Sequence, residues 1–156
     1  MKKLAIFGLA VVALSAAAVV YAAKPSPGFP NADLVFGGGH AVILGSGRTF
    51  SLSATRSGGT VMRDGGVVLI TCERIEGNAA VLGGGPLAAN GQFFEMEVVD
   101  NGLPVDGNTA GDQISPFILL SGATSAPTTC PAPSQFNPGE LDTVDAGDII
   151  VHAKGT

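Results

Sequence analysis

Residues 48–56 read RTFSLSATR, a run in which apolar side chains alternate with polar ones, most of them hydroxyl-bearing. An alternation of period two predicts a β-strand with one buried and one solvated face. The positions expected to be buried are Phe50, Leu52 and Ala54. Residues 92–100 repeat the pattern, with glutamates between the apolar positions. Both segments therefore predict half-buried strands.

Shorter apolar runs predict five more fully buried strands, at residues 40–44, 67–72, 79–82, 117–120 and 149–153. Glycine-rich segments separate these runs and are typical of turns. The triplets 37–39 and 83–85 are interpreted in the same way, as turns or close backbone approaches. We therefore expect an all-β fold, a single β-sandwich or barrel of about seven to eight short antiparallel strands.

The N-terminal 22 residues have the features of a secretory signal peptide. Lys2 and Lys3 precede an uncharged run at residues 4–20, and small residues precede a cleavage site after Ala22. A retained membrane anchor is the alternative, because a run of this length lies at the lower limit for a spanning helix. We expect a secreted protein, periplasmic or extracellular, without a membrane span once the signal is removed.

The remaining chain divides into two parts. Residues 23–33 form a proline-rich lead-in, and residues 34–154 form a single β-domain. Within that domain, residues 122–139 contain four prolines and no periodicity, which predicts a long surface loop.

Composition excludes several classes of function. Only 13% of the residues are charged, the net charge is −5 and no basic patch is present, so we expect no nucleic-acid partner. The chain has no Trp and its single Tyr lies in the predicted signal, which removes the usual stacking platforms for sugars and single strands. The G-x-S-x-G, G-x-x-x-x-G-K and H-E-x-x-H motifs are absent. We therefore expect no catalytic residues and no enzyme.

Cys72 and Cys130 are the only cysteines, and both follow the predicted signal. An even pair in an oxidising compartment predicts one disulfide. A zinc site with His40 and His152 is the first alternative, although the spacing of zinc ligands is missing. A thiol nucleophile is the second, although neither histidine is close in sequence. We predict that the two histidines have no catalytic role.

Oxygen-bearing side chains cluster at residues 100–112, and the candidate calcium ligands among them are Asp100, Asp106, Asn108 and Asp112. Asp106 and Asn108 fit positions 1 and 3 of an EF-hand loop, but position 12 is Phe117, which supplies no bidentate carboxylate. Solvated loop acids in Asx turns are the simpler interpretation. A second acidic set precedes the last predicted strand and is interpreted as loop acids too: Asp142, Asp145 and Asp148.

Several short motifs follow one another in a fixed order. They are ITC at 70–72, GNAAVLGG at 77–84, VDNG at 99–102, DQIS at 112–115, the cysteine at 130 and AGDIIVH at 146–152. This ordered set resembles the post-COAP domains, exported bacterial β-domains that stand alone or are appended to larger surface proteins. The resemblance covers roughly residues 36–154.

The resemblance implies a compact β-sandwich or barrel of unassigned biochemical role, with Cys72 and Cys130 as its disulfide. It also implies that Asp100-Asn101-Gly102 forms a tight hairpin turn, and that one hairpin between residues 56 and 67 is trimmed. The extra acids at residues 102–112 depart from the family pattern. The motif residues expected to have structural roles are Gly77, Asn78, Gly83, Asn101, Gly102, Gly147 and His152.

Two functions remain as hypotheses. The first is a non-enzymatic structural or interaction module of the cell envelope or the extracellular space, with an unidentified protein or envelope partner and no cofactor. The second is a calcium-dependent binding module or a hydrolase that uses the acidic loop at residues 100–112.

Overall fold

The computed structural model describes residues 32–102 and 111–154. The predicted signal peptide at 1–22 lies outside the described residues, as does most of the lead-in at 23–33. No helix within the described ranges is long and apolar enough to cross a membrane. The strands are β1 (Leu34–Ile43), β2 (Ser46–Thr55), β3 (Gly58–Arg63), β4 (Gly66–Glu76), β5 (Ala79–Gly84), β6 (Phe94–Val99), β7 (Gln113–Ile114), β8 (Ile118–Leu119) and β9 (Asp142–His152).

Eight of these strands close into an antiparallel barrel. Their order around the barrel is β5-β4-β3-β2-β1-β9-β7-β6, and β6 pairs back to β5. The extra strand, β8, pairs with β6 beside β7. The only helical element in the described ranges is one turn of 3-10 helix at Pro133–Gln135. The all-β prediction is confirmed, and of its two architectures the barrel is the one observed.

The barrel interior is filled by the inward faces of the strands. In β2 the alternation predicted from the sequence is observed, with Phe50, Leu52 and Ala54 at 5%, 4% and 1% exposure. Fully burying such a side chain stabilises the fold by roughly 1.5–3 kcal/mol for the larger ones. The largest side chains of the core with almost no exposure are Phe94, Ile43, Leu82, Met96, Ile114 and Ile149.

The glycine triplet at residues 37–39 lies inside β1 and is not a turn, so that part of the prediction is wrong. Gly39 pairs directly with Gly147 of β9. A Cβ on Gly39 would lie 2.0 Å from the Ala146 carbonyl oxygen, and a Cβ on Gly147 would lie 2.1 Å from that of Gly38. Glycine on both strands therefore permits the close approach by which β1 and β9 close the barrel.

Two further elements differ from the prediction. Residues 58–63 form β3, a strand that was not predicted from the sequence, where Gly58 and Gly59 were interpreted as part of a turn. The last strand begins at Asp142 rather than at residue 149, so the acids predicted to lie in a loop belong to β9. They are Asp142, Asp145 and Asp148.

A one-residue bulge changes the direction of the side chains along β4. Ile70 pairs with Gly84 and Cys72 pairs with Gly83, which leaves Thr71 as the extra residue. Cys72 therefore points to the outer surface, where it forms the disulfide with Cys130 (Cα–Cα 5.5 Å). A Cβ on Gly83 would lie 2.8 Å from the Cys72 sulfur, so glycine at this position leaves room for the bridge.

The disulfide attaches the proline-rich loop to the outside of β4 and β5. The Thr71 hydroxyl donates to the Pro127 carbonyl at 2.7 Å, and the Ser134 amide donates to the Glu76 carboxylate at 3.0 Å. The sequence separation of the two cysteines is 58 residues. By loop-closure entropy, a bridge of this span stabilises the fold by about 4 kcal/mol.

Candidate functional site

The predicted calcium ligands Asp100 and Asp112 lie at the seam between β6 and β9. Only the two-residue strand β7 joins these strands by backbone pairing. Along the remainder of the seam, hydrogen bonds to the two carboxylates link the segment after β6 to β9. Asp112 accepts from the Asn101 amide at 2.9 Å and from the Ile149 amide at 2.6 Å, and Asp100 accepts from the Gly102 amide at 2.9 Å and from the Val151 amide at 3.1 Å.

These contacts explain why acids are needed at the seam. The amides of Ile149 and Val151 face an edge of β9 without a neighbouring strand, and a buried amide without an acceptor is costly. Asp112 is only 6% exposed, so its charge is stabilised by these two amides and not by bulk water. Each carboxylate therefore accepts a hydrogen bond that a backbone carbonyl of a neighbouring strand would otherwise accept.

Asp148 adds a third carboxyl to this seam. Partial burial raises its pKa, and so do a hydrogen bond to Asp112 and the negative charges of Asp112 and Asp100. Asp148 therefore holds its proton to a higher pH than an isolated aspartate.

The other two predicted calcium ligands, Asp106 and Asn108, lie outside the described residues. In the part of the chain that the structure describes, no group of three or more His, Cys, Asp or Glu side chains could hold a metal ion. Every oxygen of Asp100 and Asp112 already accepts a backbone hydrogen bond. The calcium hypothesis remains a prediction, and the geometry gives these two residues a structural role.

Four of the motif residues, Gly77, Asn78, Asn101 and Gly102, lie beside the same seam. The Asn78 side chain donates to the Asp100 carbonyl at 2.7 Å, and the Asn101 side chain donates to the Gly111 carbonyl at 3.0 Å. Gly77, in the left-handed region at φ +61°, forms the turn before Asn78. Asp100-Asn101-Gly102 forms an Asx turn and not a tight hairpin, because the connection from β6 to β7 spans residues 100–112.

The two histidines lie on strands. His40 in β1 forms an ion-pair contact with Asp145 of β9, with Nδ1 2.7 Å from the carboxylate oxygen, and both side chains are about half exposed. Asp145 could not be predicted as the partner of His40, because 105 residues separate the two. His152 pairs with Leu34 at the end of β9.

A cavity of about 580 Å³ opens where β1 begins and β9 ends. This end of the barrel is called the mouth below. The cavity lies between the strand ends and the disulfide-bonded loop, and its wall includes the disulfide itself with Thr128 and Thr129. The ionisable side chains that line it are Asp33, Arg56, Glu73, Arg74 and Lys154.

Glu73 is the unusual member of this wall. It pairs with Leu82 of the core, which places it on the inner face of β4. Both of its carboxyl oxygens are buried, and they have no hydrogen-bond partner among the described residues. Burial and the negative charge of Asp33 raise the pKa of Glu73 and the positive charge of Arg56 lowers it, with a net pKa of about 7.

Glu73 could not be recognised from the sequence for a physical reason. Without the bulge, the alternation that buries Val68 and Ile70 would continue through Cys72 and would place Glu73 on the outer face. The extra residue at Thr71 inverts this order. The one available signal was an acid directly after an apolar run, and that pattern does not specify a face.

The rim of the mouth carries most of the charge. Arg56 is 84% exposed and forms an ion pair with Asp33 at 2.8 Å. Asp33 also accepts from the Lys154 amide at 2.8 Å, which ties the start of β1 to the end of β9. Within the described residues, the side chains of Arg74 and Lys154 form no ion pair.

This arrangement can bind a polar group. An inner carboxyl that lacks a partner supplies hydrogen-bond acceptors, and the cations at the rim supply donors. Comparison with known proteins adds no family to this geometry: no protein-family model, no curated protein and no solved structure matches the chain.

Proposed function

We propose that the chain is an exported, non-enzymatic binding module of the bacterial cell envelope or the extracellular space. The resemblance to post-COAP domains implies this class. The Cys72–Cys130 disulfide supports it, because such a bond is consistent with an oxidising compartment outside the cytoplasm.

The observation that carries the proposal is the Glu73 carboxyl at the mouth. A buried carboxyl without hydrogen bonds is unfavourable, and folding tolerates such groups mainly where another role requires them. Glu73 lines an open cavity of about 580 Å³, a size within the usual range of ligand sites. The partner is therefore expected to dock at the mouth.

The alternative of a calcium-dependent module or hydrolase is less well supported. Asp100 and Asp112 connect strands, and their oxygens are occupied by backbone amides. A carboxylate that acts on a substrate or binds a cation needs free lone pairs.

The proposal is tested by site-specific photo-crosslinking of the exported protein in its native host. A crosslinking side chain at position 128, an exposed position of the cavity wall, is compared with one at position 65, in the β3–β4 turn at the opposite end. We expect a discrete adduct from position 128 that position 65 does not form.

A variant that blocks the cavity makes this test specific. Thr129 is exposed and lines the cavity, so Thr129→Trp fills it without touching the core. Thr143→Trp, at an exposed position of β9 away from the cavity, is the matched control. The adduct should disappear in T129W and persist in T143W. Adducts of equal strength from both crosslinking positions, or an adduct unaffected by T129W, would contradict the proposal.

A further inference from the structure

The acidic and basic side chains around the mouth lie at different depths in the cavity. Glu73 lies on the inner face of β4, and the next residue, Arg74, is exposed on the outer side. Lys154 is also exposed, just beyond the end of β9. The acid is therefore deep in the cavity wall, and the cations are at its edge.

The ion pair at the rim decides which charges are left for a ligand. Asp33 is paired with Arg56 at 2.8 Å, so these two charges largely cancel. Among the described lining residues, Glu73 then remains as the inner acid, and Arg74 and Lys154 remain as the outer cations. A complementary ligand has a hydrogen-bond donor of positive charge at one end and an anion at the other.

We infer that the mouth binds a small zwitterion, a molecule with an ammonium group for Glu73 and a carboxylate for Arg74 and Lys154. Free amino acids and short peptides have this chemistry. The inference rests on the proposed function and specifies the ligand class of the same cavity. The Glu73 oxygens are buried, so binding of the ammonium requires the Glu73 side chain to rotate toward the cavity.

Four probes separate the two charges. Diglycine carries both, N-acetyldiglycine carries only the carboxylate and diglycine amide carries only the ammonium. Glycine carries both over a shorter distance and distinguishes a free amino acid from a peptide. Binding is measured by isothermal titration calorimetry on the purified, disulfide-bonded protein at a pH of about 7.5, where most Glu73 carboxyls are ionised and most peptide amino groups are still protonated. Amide chemical shifts of Ile75 and Lys154 locate the bound probe.

At least one of the two zwitterions should bind about tenfold more tightly than either singly charged probe, as expected for one additional charge-assisted hydrogen bond. Glu73→Gln should remove the advantage of diglycine over N-acetyldiglycine. Lys154→Gln should reduce the ratio by which diglycine binds more tightly than diglycine amide. Glu95→Gln is the matched control, because Glu95 is a partly buried acid on β6 that does not line the cavity.

Three outcomes would overturn the inference: no binding of any probe, equal affinities for all four, or an unchanged preference in E73Q. These outcomes would leave the proposed function standing if the adduct from position 128 formed in the wild-type background and disappeared in T129W. Absence of that adduct from the wild-type background would instead refute the proposed function itself.

Discussion

Glu73 and Asp112 differ in the hydrogen bonds that their carboxyl groups accept. Glu73 follows a buried strand segment and carries a carboxyl whose oxygens have no partner among the described residues. Asp112, also buried, has an acceptor role on both oxygens. The two acids therefore differ in function, because both oxygens of Asp112 accept hydrogen bonds from backbone amides and those of Glu73 accept none from the described residues.

The stability of the protein should depend on pH through Glu73. Its pKa is raised to about 7, so between roughly pH 4.5 and 7 the folded state holds a proton that the unfolded chain has released. The free energy of unfolding therefore falls as the pH rises through this range and levels off above it. Gln at position 73 cannot ionise, so E73Q should gain about 1 kcal/mol over the wild type between pH 4 and 8, after allowance for solvent screening.

Urea unfolding at several pH values, followed by circular dichroism, measures this difference. Glu95→Gln serves as the control, since burial also raises the pKa of Glu95 but to a smaller extent. Parallel pH profiles for wild type and E73Q would show that the Glu73 carboxyl is solvated in the folded protein.

At the scale of elements, the weakest backbone connection in the barrel lies between β6 and β9. The strand between them, β7, has only two residues. The side chains of Asp100 and Asp112 extend this connection to the amides of Ile149 and Val151. These two carboxylates therefore help to close the barrel. Two of the acids predicted as calcium ligands thus stabilise the sheet.

Replacing Asp112 by Asn should weaken this seam. The amide oxygen can satisfy only one of the two backbone donors, and the new NH₂ group would face the other. We expect a loss of about 2 kcal/mol in the free energy of unfolding, typical of removing a buried charge-assisted hydrogen bond. Urea denaturation measures the loss.

Asp145→Asn is the matched control on β9, because Asp145 pairs with His40 at an exposed position. Surface pairs of this kind contribute at most about 1 kcal/mol. If D112N and D145N cost the same, the seam hydrogen bonds do not contribute more to stability than an ordinary surface contact.

Element by element, the sequence was most informative where the chain alternates. β2 and β6 were predicted from a period of two, and the apolar positions predicted to be buried are buried. Glu97 of β6, predicted on the solvated face, is buried as well, at 7% exposure. β3 was missed because it opens with two glycines, which are typical of turns. The triplet in β1 was misread for the same reason. A Cβ on Gly39 would lie 2.0 Å from the Ala146 carbonyl oxygen of β9, and this contact between strands distant in sequence is not a local property.

The candidate site was less predictable than the fold. The disulfide followed from the cysteine count and is present. Glu73 could not be assigned to the interior, because a single extra residue at Thr71 determines its face. The partners of Asp100 and Asp112 lie in the last strand, so their role depends on the closure of the barrel and not on the acidic loop.

At the scale of the whole molecule, calcium should not change the stability. The Asp100 and Asp112 oxygens would have to release backbone amides before they could bind the ion. We therefore expect the same melting temperature by circular dichroism in excess Ca²⁺ and in EDTA.

A ligand specific for the folded state adds about 2.7 kcal/mol at a hundredfold excess over its Kd. For calcium, that would correspond to a rise of several degrees. Such a rise would establish the acidic loop at residues 100–112 as a metal site and favour the calcium-dependent alternative.

The pairing of Leu34 in β1 with His152 in β9 places the first and last strands side by side. The described barrel is therefore a ring of strands with no obligatory origin. A circular permutant can join residue 154 to residue 32 by a short linker and open the chain at Asp64-Gly65. It would retain every strand pair and lose only the covalent turn between β3 and β4. By the same geometry, the barrel can be inserted into a surface loop of a host protein, and its mouth would then face the host.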